Sequence, residues 1–312
     1  MTTDAATHLP AYLEALKRVA YANLDLWVVD NASVDGSPDL VAEVFPGAHI
    51  LRNSRNLGFT GACNLALERI VAGDAEFVLF LNDDTEVTPG FLGPLLALAD
   101  ERTMVTPRTY LAGSPGLLDD AAGEFDWLRG TWRNRVLGRP ERQGEQRVHS
   151  VGSANLSCLL VPTPLLRRVG FLDDNFFVYY DDTDFCRRAL AAGGRLFVQP
   201  ESVVYHQKGA TLGGQLSPFG CYYLTRNRPY LIRKHTRSNL RYGAFLAYFL
   251  ATRVTRMALW ARARRFDLVR ATLEGLADAL AGRMGQGRGL RWRTAPSIGS
   301  PSAPAKETAK AP

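Results

Sequence analysis

Apolar and polar positions follow two alternating periods along the N-terminal two thirds of the chain. Thr7–Ala20 places Leu9, Leu13, Leu16 and Ala20 on one face, which predicts a helix. Leu26–Asp30 is a short apolar run ending in polar residues, the pattern of a buried parallel strand. Helices are expected over Ser37–Phe45, Gly58–Ala72 and Thr88–Ala99, with strands over His49–Arg52 and Phe77–Leu81. Alternation of this kind predicts βαβ units and a mostly parallel central sheet, an α/β fold. Thr106–Ser150 breaks the pattern with Gly, Arg and acidic residues and reads as a long excursion beside a site. Leu156–Val161 and Phe176–Tyr180 are strand-like, and the latter leads through Asp181–Asp184 into a helix ending near Ala192. Two short strands follow, Arg195–Val198 and Ser202–Tyr205, then helices over Tyr222–His235, Leu240–Ala263 and Phe266–Gly282. From Thr294 the chain is Pro, Ala, Ser and Lys, a composition expected to remain disordered.

Three acidic clusters each follow an apolar run: Asp30-Asn31, Asn82-Asp83-Asp84 and Asp181-Asp182-Thr183-Asp184. In open sheets the carboxyl ends of parallel strands share one edge, so clusters far apart in sequence can converge there. Grouped carboxylates repel unless a cation or a shared proton relieves them, and oxygen ligands of this type suit Mg²⁺ or Mn²⁺. An Asp after a strand more commonly serves a turn or a helix cap. It is the repetition at three strand ends that points to a site.

The residues resemble family 2 glycosyltransferases. Val28–Ser33 (VVDNAS) with Asp35-Gly36, Arg55–Phe59 (RNLGF) with Asn64, and Leu79–Thr85 (LFLNDDT) carry the likeness. Gly170–Asp173, Phe176–Arg187 (FFVYYDDTDFCR) and Val203–His206 follow in the family's order. Tyr222–Arg228 (YYLTRNR) and Arg233–His235 further resemble its rhamnosyltransferase-like branch. The resemblance runs from about Thr7 to His235. It implies a GT-A fold with C-terminal helices and inverting transfer of a sugar from a nucleoside diphosphate, with dTDP-rhamnose as the candidate donor, to a lipid-linked or polysaccharide acceptor in cell-envelope synthesis.

The same resemblance implies roles. Asn82-Asp83-Asp84 falls at the family's Asp-x-Asp position, so Asp84 is expected to bind Mg²⁺ or Mn²⁺, with Asn82 and Asp83 near the donor. His206 is expected to offer an imidazole to that cation, or to be a satisfied histidine at a strand end. Asp181-Asp182 lies where the family has Glu-Asp, which makes Asp182 the expected general base and Asp181 its partner. Asp184 would cap or charge the start of the following helix. Asp30, Asn31, Arg55, Asn56 and Gly58 are expected to bind the donor, Gly58 opening a helix whose first amides could face the diphosphate. The family's opening apolar strand has no counterpart in Met1–Ala6. This implies either a start further upstream or a sheet missing a central strand, and the truncated frame is the favoured reading.

Charge divides the 312 residues further. The net charge is +6, yet Arg226–Arg293 carries sixteen Lys/Arg against three acids. The first 225 residues are left at −8. We therefore expect a catalytic domain over 1–225, a basic helical region over 226–293 and a tail over 294–312. Tyr242–Ala251 is too short to span a bilayer, which takes about 20 apolar residues. Its aromatic and Arg content fits an interfacial helix on an anionic membrane surface, or a basic helical lid. No nucleic-acid-binding module accompanies the charge. The four cysteines are scattered, as in a reducing compartment, and the N-terminus shows no secretory signal. A cytoplasmic protein, peripheral on the inner face of the plasma membrane, is expected. The rival expectations are an inactive nucleotide-sugar-binding or scaffold protein, and a nucleotidyltransferase, for which no Gly-rich triphosphate loop is seen.

Overall fold

The computed structural model describes residues 1–114, 116–119, 121–133, 136–207 and 216–287. The first half alternates as the periodicity predicts: α1 (Leu9–Lys17), β1 (Trp27–Asp30), α2 (Ser37–Val44), β2 (His49–Arg52), α3 (Gly58–Ala72) and β3 (Phe77–Leu81). Then come β4 (Thr85–Val87), α4 (Leu92–Leu98) and β5 (Thr103–Leu111). The excursion contributes short strands β6 (Ala122–Gly123), β7 (Phe125–Asp126), β8 (Thr131–Trp132), β9 (His149–Ser150) and β10 (Ser153–Ala154). The remainder is β11 (Cys158–Pro162), α5 (Thr163–Val169), α6 (Asp181–Ala191), β12 (Arg195–His206), α7 (Pro218–His235), α8 (Asn239–Arg262) and α9 (Phe266–Leu280). The tail over 294–312 lies outside the described residues.

The α/β class holds, but the expected mostly parallel sheet is corrected to a mixed one. The main sheet runs β3-β11-β5-β12-β4, with β9 on β12. Only β5–β12 is a parallel pair within it; β3–β11, β11–β5, β12–β4 and β12–β9 are antiparallel. The strands β3, β5 and β12 do share one direction. The reversal comes from β11, which returns from the excursion and inserts between β3 and β5 instead of arriving by a helical crossover. Sequence patterning missed β5 because Thr103, Thr106, Arg108 and Thr109 interrupt its apolar run, yet all four are buried. Thr106 Oγ1 donates to the Cys158 carbonyl at 2.9 Å, and Arg108 donates to the Glu145 carbonyl, which satisfies these polar groups inside the sheet. The two strands expected after Gly194 are one, β12, with a register shift between Gln199 and Val203.

Helices α3, α5 and α6 cover one face of the sheet through Leu67, Leu165, Leu166 and Phe185 packed on Phe80, Leu159 and Val161. On the other face Leu16 of α1 and Leu95 of α4 meet Val87, Val105 and Leu160. Strands β1 and β2 form a separate parallel pair. Met1–Ala6 forms no strand, but Thr2 makes one bridge to β1, its N–H donating to Val29 and its carbonyl accepting from Asn31, both at 2.9 Å. The 225/226 boundary expected from charge falls inside α7, where Arg226, Asn227 and Arg228 are buried.

Helix α3 meets the segment before α6 at a close approach. Gly58 has φ +75°, and a Cβ there would sit 2.5 Å from the Phe177 carbonyl oxygen and ring. Gly58→Ala is therefore expected to lower stability by about 2–3 kcal/mol, read by denaturant unfolding, through left-handed strain and overpacking together.

Candidate active site

Phe176–Tyr180 is not the strand its apolar run suggests. Phe177, Tyr179 and Tyr180 have φ of 66°, 64° and 69°, left-handed values that break extension three times in five residues. Such conformations persist only where the surroundings impose them. Here α7 does so. Asn227 Nδ2 donates toward the carbonyls of Phe176, Val178 and Tyr179 at 2.9, 2.8 and 3.1 Å. Arg226, fully buried against Tyr222 and Tyr223, donates to the carbonyls of Phe176 and Asn175 at 3.0 and 3.3 Å. From α3, the Phe59 N–H donates to the Phe177 carbonyl at 2.7 Å. The turn ends at Tyr180, the N-cap of α6, and delivers Asp181 and Asp182 into its first turn.

The aspartates of this turn have opposite surroundings. Burial pushes the Asp181 carboxyl well above the ordinary range, helped by the charge of Asp182. Burial likewise pushes Asp182 up to about 6, against two bonds that Oδ1 accepts from Thr183, N–H at 2.5 Å and hydroxyl at 3.0 Å. Asp184 is also buried, but bonds to His235 and Lys234 and the charge of Arg188 outweigh desolvation and hold it at about 2. Its partners His235 Nε2, Lys234 Nζ and Arg188 Nε all lie at 2.8 Å. Asp184 thus ties the end of α7 to α6, a larger role than the cap expected from sequence. His235 in turn packs edge-on to Trp127 of the excursion.

A second constellation forms where β3, β5 and β12 end. His206 Nδ1 is 2.6 Å from Asp119 Oδ2, and its Nε2 is 3.3 Å from Asp84 Oδ1. Burial alone would lower the imidazole pKa, but Asp119 and then Asp84 raise it to about 9. The Asp84 Oδ1 atom is buried without a hydrogen-bond partner. An unpartnered carboxylate oxygen facing an imidazole oriented by a second carboxylate is a donor set that fits a divalent cation. Among the described residues no group of three metal-ligating side chains forms, so diphosphate oxygens and water would have to complete the shell. Asp119 escaped sequence analysis because it lies in the patternless excursion, brought in by its N–H bond to the Thr109 carbonyl at 2.9 Å. His8 of the N-terminal segment, also unforeseen, places Nε2 4.0 Å from Asp83 Oδ1.

The expected donor residues divide into those that face a cleft and those that build it. Asp30 and Asn53 line a cleft of about 490 Å³ beyond β1 and β2, with Arg52 and Asp39. Asn31 is buried in the frame of that cleft: Nδ2 donates to Asn56 Oδ1 at 2.9 Å and to the Gly58 carbonyl at 3.1 Å, while Oδ1 accepts from the Leu57 N–H at 2.8 Å. The first amides of α3 do not point at open space. The Gly58 N–H is taken by Asn56 Oδ1 at 2.8 Å and the Phe59 N–H by Phe177, which corrects the expectation of free amides there. Arg55 is exposed and unpaired among the described residues. Asn82 anchors its turn, its N–H donating to the Ser157 carbonyl at 2.9 Å. No hydrogen bond or ion pair joins Asp84 to Asp182 among the described residues; β10 and the residues after it link their surroundings, Ala154 bonding to Cys186 of α6 and the Ser157 carbonyl accepting from Asn82.

Comparisons with known proteins agree with this architecture. The family model for Glycosyl transferase family 2 matches residues 2–153. The chain is 27% identical over 237 residues to the N-acetylglucosaminyl-diphospho-decaprenol L-rhamnosyltransferase of Mycobacterium tuberculosis, covering 68% of this chain and 76% of that one. It is 24% identical over 215 residues to the dTDP-rhamnosyl transferase RfbF of Shigella flexneri, covering 67% and 70%. Among solved structures, S. aureus TarS 1–349 in complex with UDP aligns over 91% of this chain and 81% of its own, with TM-score 0.52 and 16% identity. GalNAc-T7 with UDP, GalNAc and Mn²⁺ aligns over 64% of this chain but only 40% of its own, with TM-score 0.52 and 15% identity. The fold is GT-A, residues 2–153 match the Glycosyl transferase family 2 model, and the chain is similar to rhamnosyltransferases.

Binding of a cation at His206 must displace its proton, so Mn²⁺ affinity measured with nucleotide present is expected to rise as pH increases toward 9, with proton release visible in buffers of different ionisation heat. Asp119→Asn is expected to weaken Mn²⁺ binding about 10–100-fold by the same calorimetry.

Proposed function

We propose that this glycosyltransferase moves a sugar, with inversion, from a nucleoside diphosphate to a lipid-linked acceptor in cell-envelope glycan synthesis, working at an anionic membrane face. Asp182 takes the proton from the acceptor hydroxyl as that oxygen bonds to the anomeric carbon and the nucleoside diphosphate leaves. The observation that carries this reading is a carboxyl raised to about 6 by burial at the start of a helix, next to a second buried carboxyl. A base of that strength is ionised at neutral pH and still able to hold a proton. Asp181, pushed toward its neutral form by burial and by the charge of Asp182, is the partner carboxyl beside it. Asp84 and His206 would hold Mg²⁺ or Mn²⁺, which when bound neutralises charge on the diphosphate.

On the donor side, Asp30 faces the nucleoside in the cleft, and Arg55 is a free cation for the phosphates. Asn31, Asn56 and Gly58 hold the loop between them, while Asn82 and Asp83 set the turn that carries Asp84. We infer a dTDP-linked deoxyhexose of the rhamnose type, because the similar relatives are named rhamnosyltransferases and one is named a dTDP-rhamnosyl transferase. The lipid-linked acceptor rests on the diphospho-decaprenol in the other relative's name.

Membrane association rests on α8. No helix of the described residues is long and apolar enough to cross a membrane. Its 24 residues contain no acid, and Leu240, Tyr248, Leu250, Val254 and Leu259 are exposed beside Arg241, Arg256 and Arg262. An apolar face edged by cations suits the headgroup layer of an anionic leaflet on the cytoplasmic side.

Calorimetric titration should give nucleotide binding that requires Mn²⁺ and prefers dTDP over UDP; a UDP preference would overturn the donor. Asp182→Asn is expected to lower transfer about 10²–10⁴-fold while leaving that binding in place. In the unsubstituted protein, transfer should fall as pH drops through about 6, where the base is protonated. Stability runs the other way: a carboxyl raised on folding favours the fold at low pH and loses that contribution as pH rises through its folded pKa. Asp182→Asn should therefore melt higher than the parent at pH 8. Arg241→Glu with Arg262→Glu should reduce sedimentation with phosphatidylglycerol vesicles, and unchanged sedimentation would rule out this face.

A further inference from the structure

Two arginines outside the machinery described above are buried with no acid to pair them among the described residues. Arg228 of α7 is 4% exposed and Arg253 of α8 is 8% exposed. Their guanidinium carbons lie 5.3 and 5.6 Å from the centre of the same ring, Phe249. Arg228 donates through Nη2 to the Arg129 carbonyl, but its Nε has no partner. Arg253 makes no hydrogen bond or ion pair with the described residues, and its Nε is buried and unpartnered too.

Other arginines of the described residues are satisfied. Arg226 is equally buried but donates to a side-chain oxygen and three carbonyls. Arg188 is spent on Asp184 and three carbonyls. A guanidinium that loses water and gains no acceptor is costly, and two beside one another repel. Burial, and the charges of Arg228 and Arg256, hold Arg253 below the ordinary arginine range at about 10. Replacing a buried unpaired charge by an apolar chain of similar size should favour the fold, so retention of this pair needs another cause.

The position supplies one. Phe249 belongs to the aromatic cluster that also seats Phe245, Phe176 and Tyr180. Tyr180 is within electrostatic reach of Arg253 and is the N-cap residue directly before Asp181-Asp182. The pair thus sits by the residue that precedes the base, Arg228 on α7 and Arg253 on α8, the helix whose outer face carries apolar side chains and arginines. Fixed donors without acceptors match tetrahedral oxyanions.

We propose that Arg228 and Arg253 form a binding site for the phosphate-class anion of the acceptor, its diphosphate linkage, holding the acceptor hydroxyl at Asp182. This rests on the glycosyl-transfer reading above and names the group through which that site grips its acceptor. The same chemistry could come from bulk lipid headgroups, so the test separates the two sources.

The full chain is titrated with inorganic pyrophosphate in EDTA, which removes the cation site from the measurement. Parallel arms measure dTDP with Mn²⁺ and sedimentation with vesicles of phosphatidylcholine, with and without phosphatidylglycerol. Arg253→Met is expected to weaken pyrophosphate about 10–100-fold, the loss expected for charge-assisted bonds, and to melt at the parent temperature or above it. Arg253→Lys should recover part of the affinity. Nucleotide binding in Mn²⁺ should persist in both variants, so a failure of the donor reading is seen in its own arm. Unchanged pyrophosphate affinity in Arg253→Met overturns the proposal. A lower melting temperature with affinity retained would make Arg253 structural. Loss of phosphatidylglycerol-dependent sedimentation with pyrophosphate affinity retained would assign the pair to bulk headgroups, against the proposal.

Discussion

The active end of this protein depends on a small set of buried donors holding a backbone that would not otherwise keep its shape. Three residues in left-handed conformations within Phe176–Tyr180 each cost about 1–3 kcal/mol. They are opposed by Asn227, whose one amide group reaches three carbonyls, and by Arg226, whose charge strengthens its bonds. If α7 moved, these carbonyls would be buried and unpaired, and the turn would have no reason to stay coiled. Asp173 and Asp184 keep α7 in place through Lys234 at 2.7 and 2.8 Å, and Asp184 adds His235. Helix α6, which carries Asp181 and Asp182, and helix α7, which shapes the turn before it, are therefore one unit.

That coupling explains how one acidic run serves unlike purposes. Asp181, Asp182 and Asp184 are neighbours, yet two are pushed toward protonation and one is held fully ionised. Desolvation acts on all three. Among the described residues only Asp184 of the three meets cations, Lys234 of α7 and Arg188 one turn further along α6. At the strand ends the balance is different again. His206 is held between Asp84 and Asp119, whose charges raise its pKa to about 9 and favour a proton on the imidazole.

Local patterning was enough for the elements whose side-chain period is unambiguous. β2, α3 and β3 match their expected bounds residue for residue, and the other helices of the first half differ only at their ends. β5 was missed because Thr106 and Arg108 within it are satisfied by partners far along the chain, which no period reveals. Phe176–Tyr180 was misread for the opposite reason: its side chains are apolar as in a strand, but its carbonyls are spoken for by Asn227 and Arg226.

By itself, then, the sequence determined the α/β class, the family likeness, the acidic clusters at Asp30, Asp84 and Asp182, and the basic C-terminal helices. These follow from residue type and short-range spacing. Strand order, the antiparallel insertion of β11, the delivery of Asp119 to His206, the anchoring of Asp184 and the unpaired Arg228 and Arg253 were decided only by the tertiary structure. Each depends on what a group meets across a long stretch of chain, and burial with or without a partner, which sets the energy of a charge, is a property of the packed molecule.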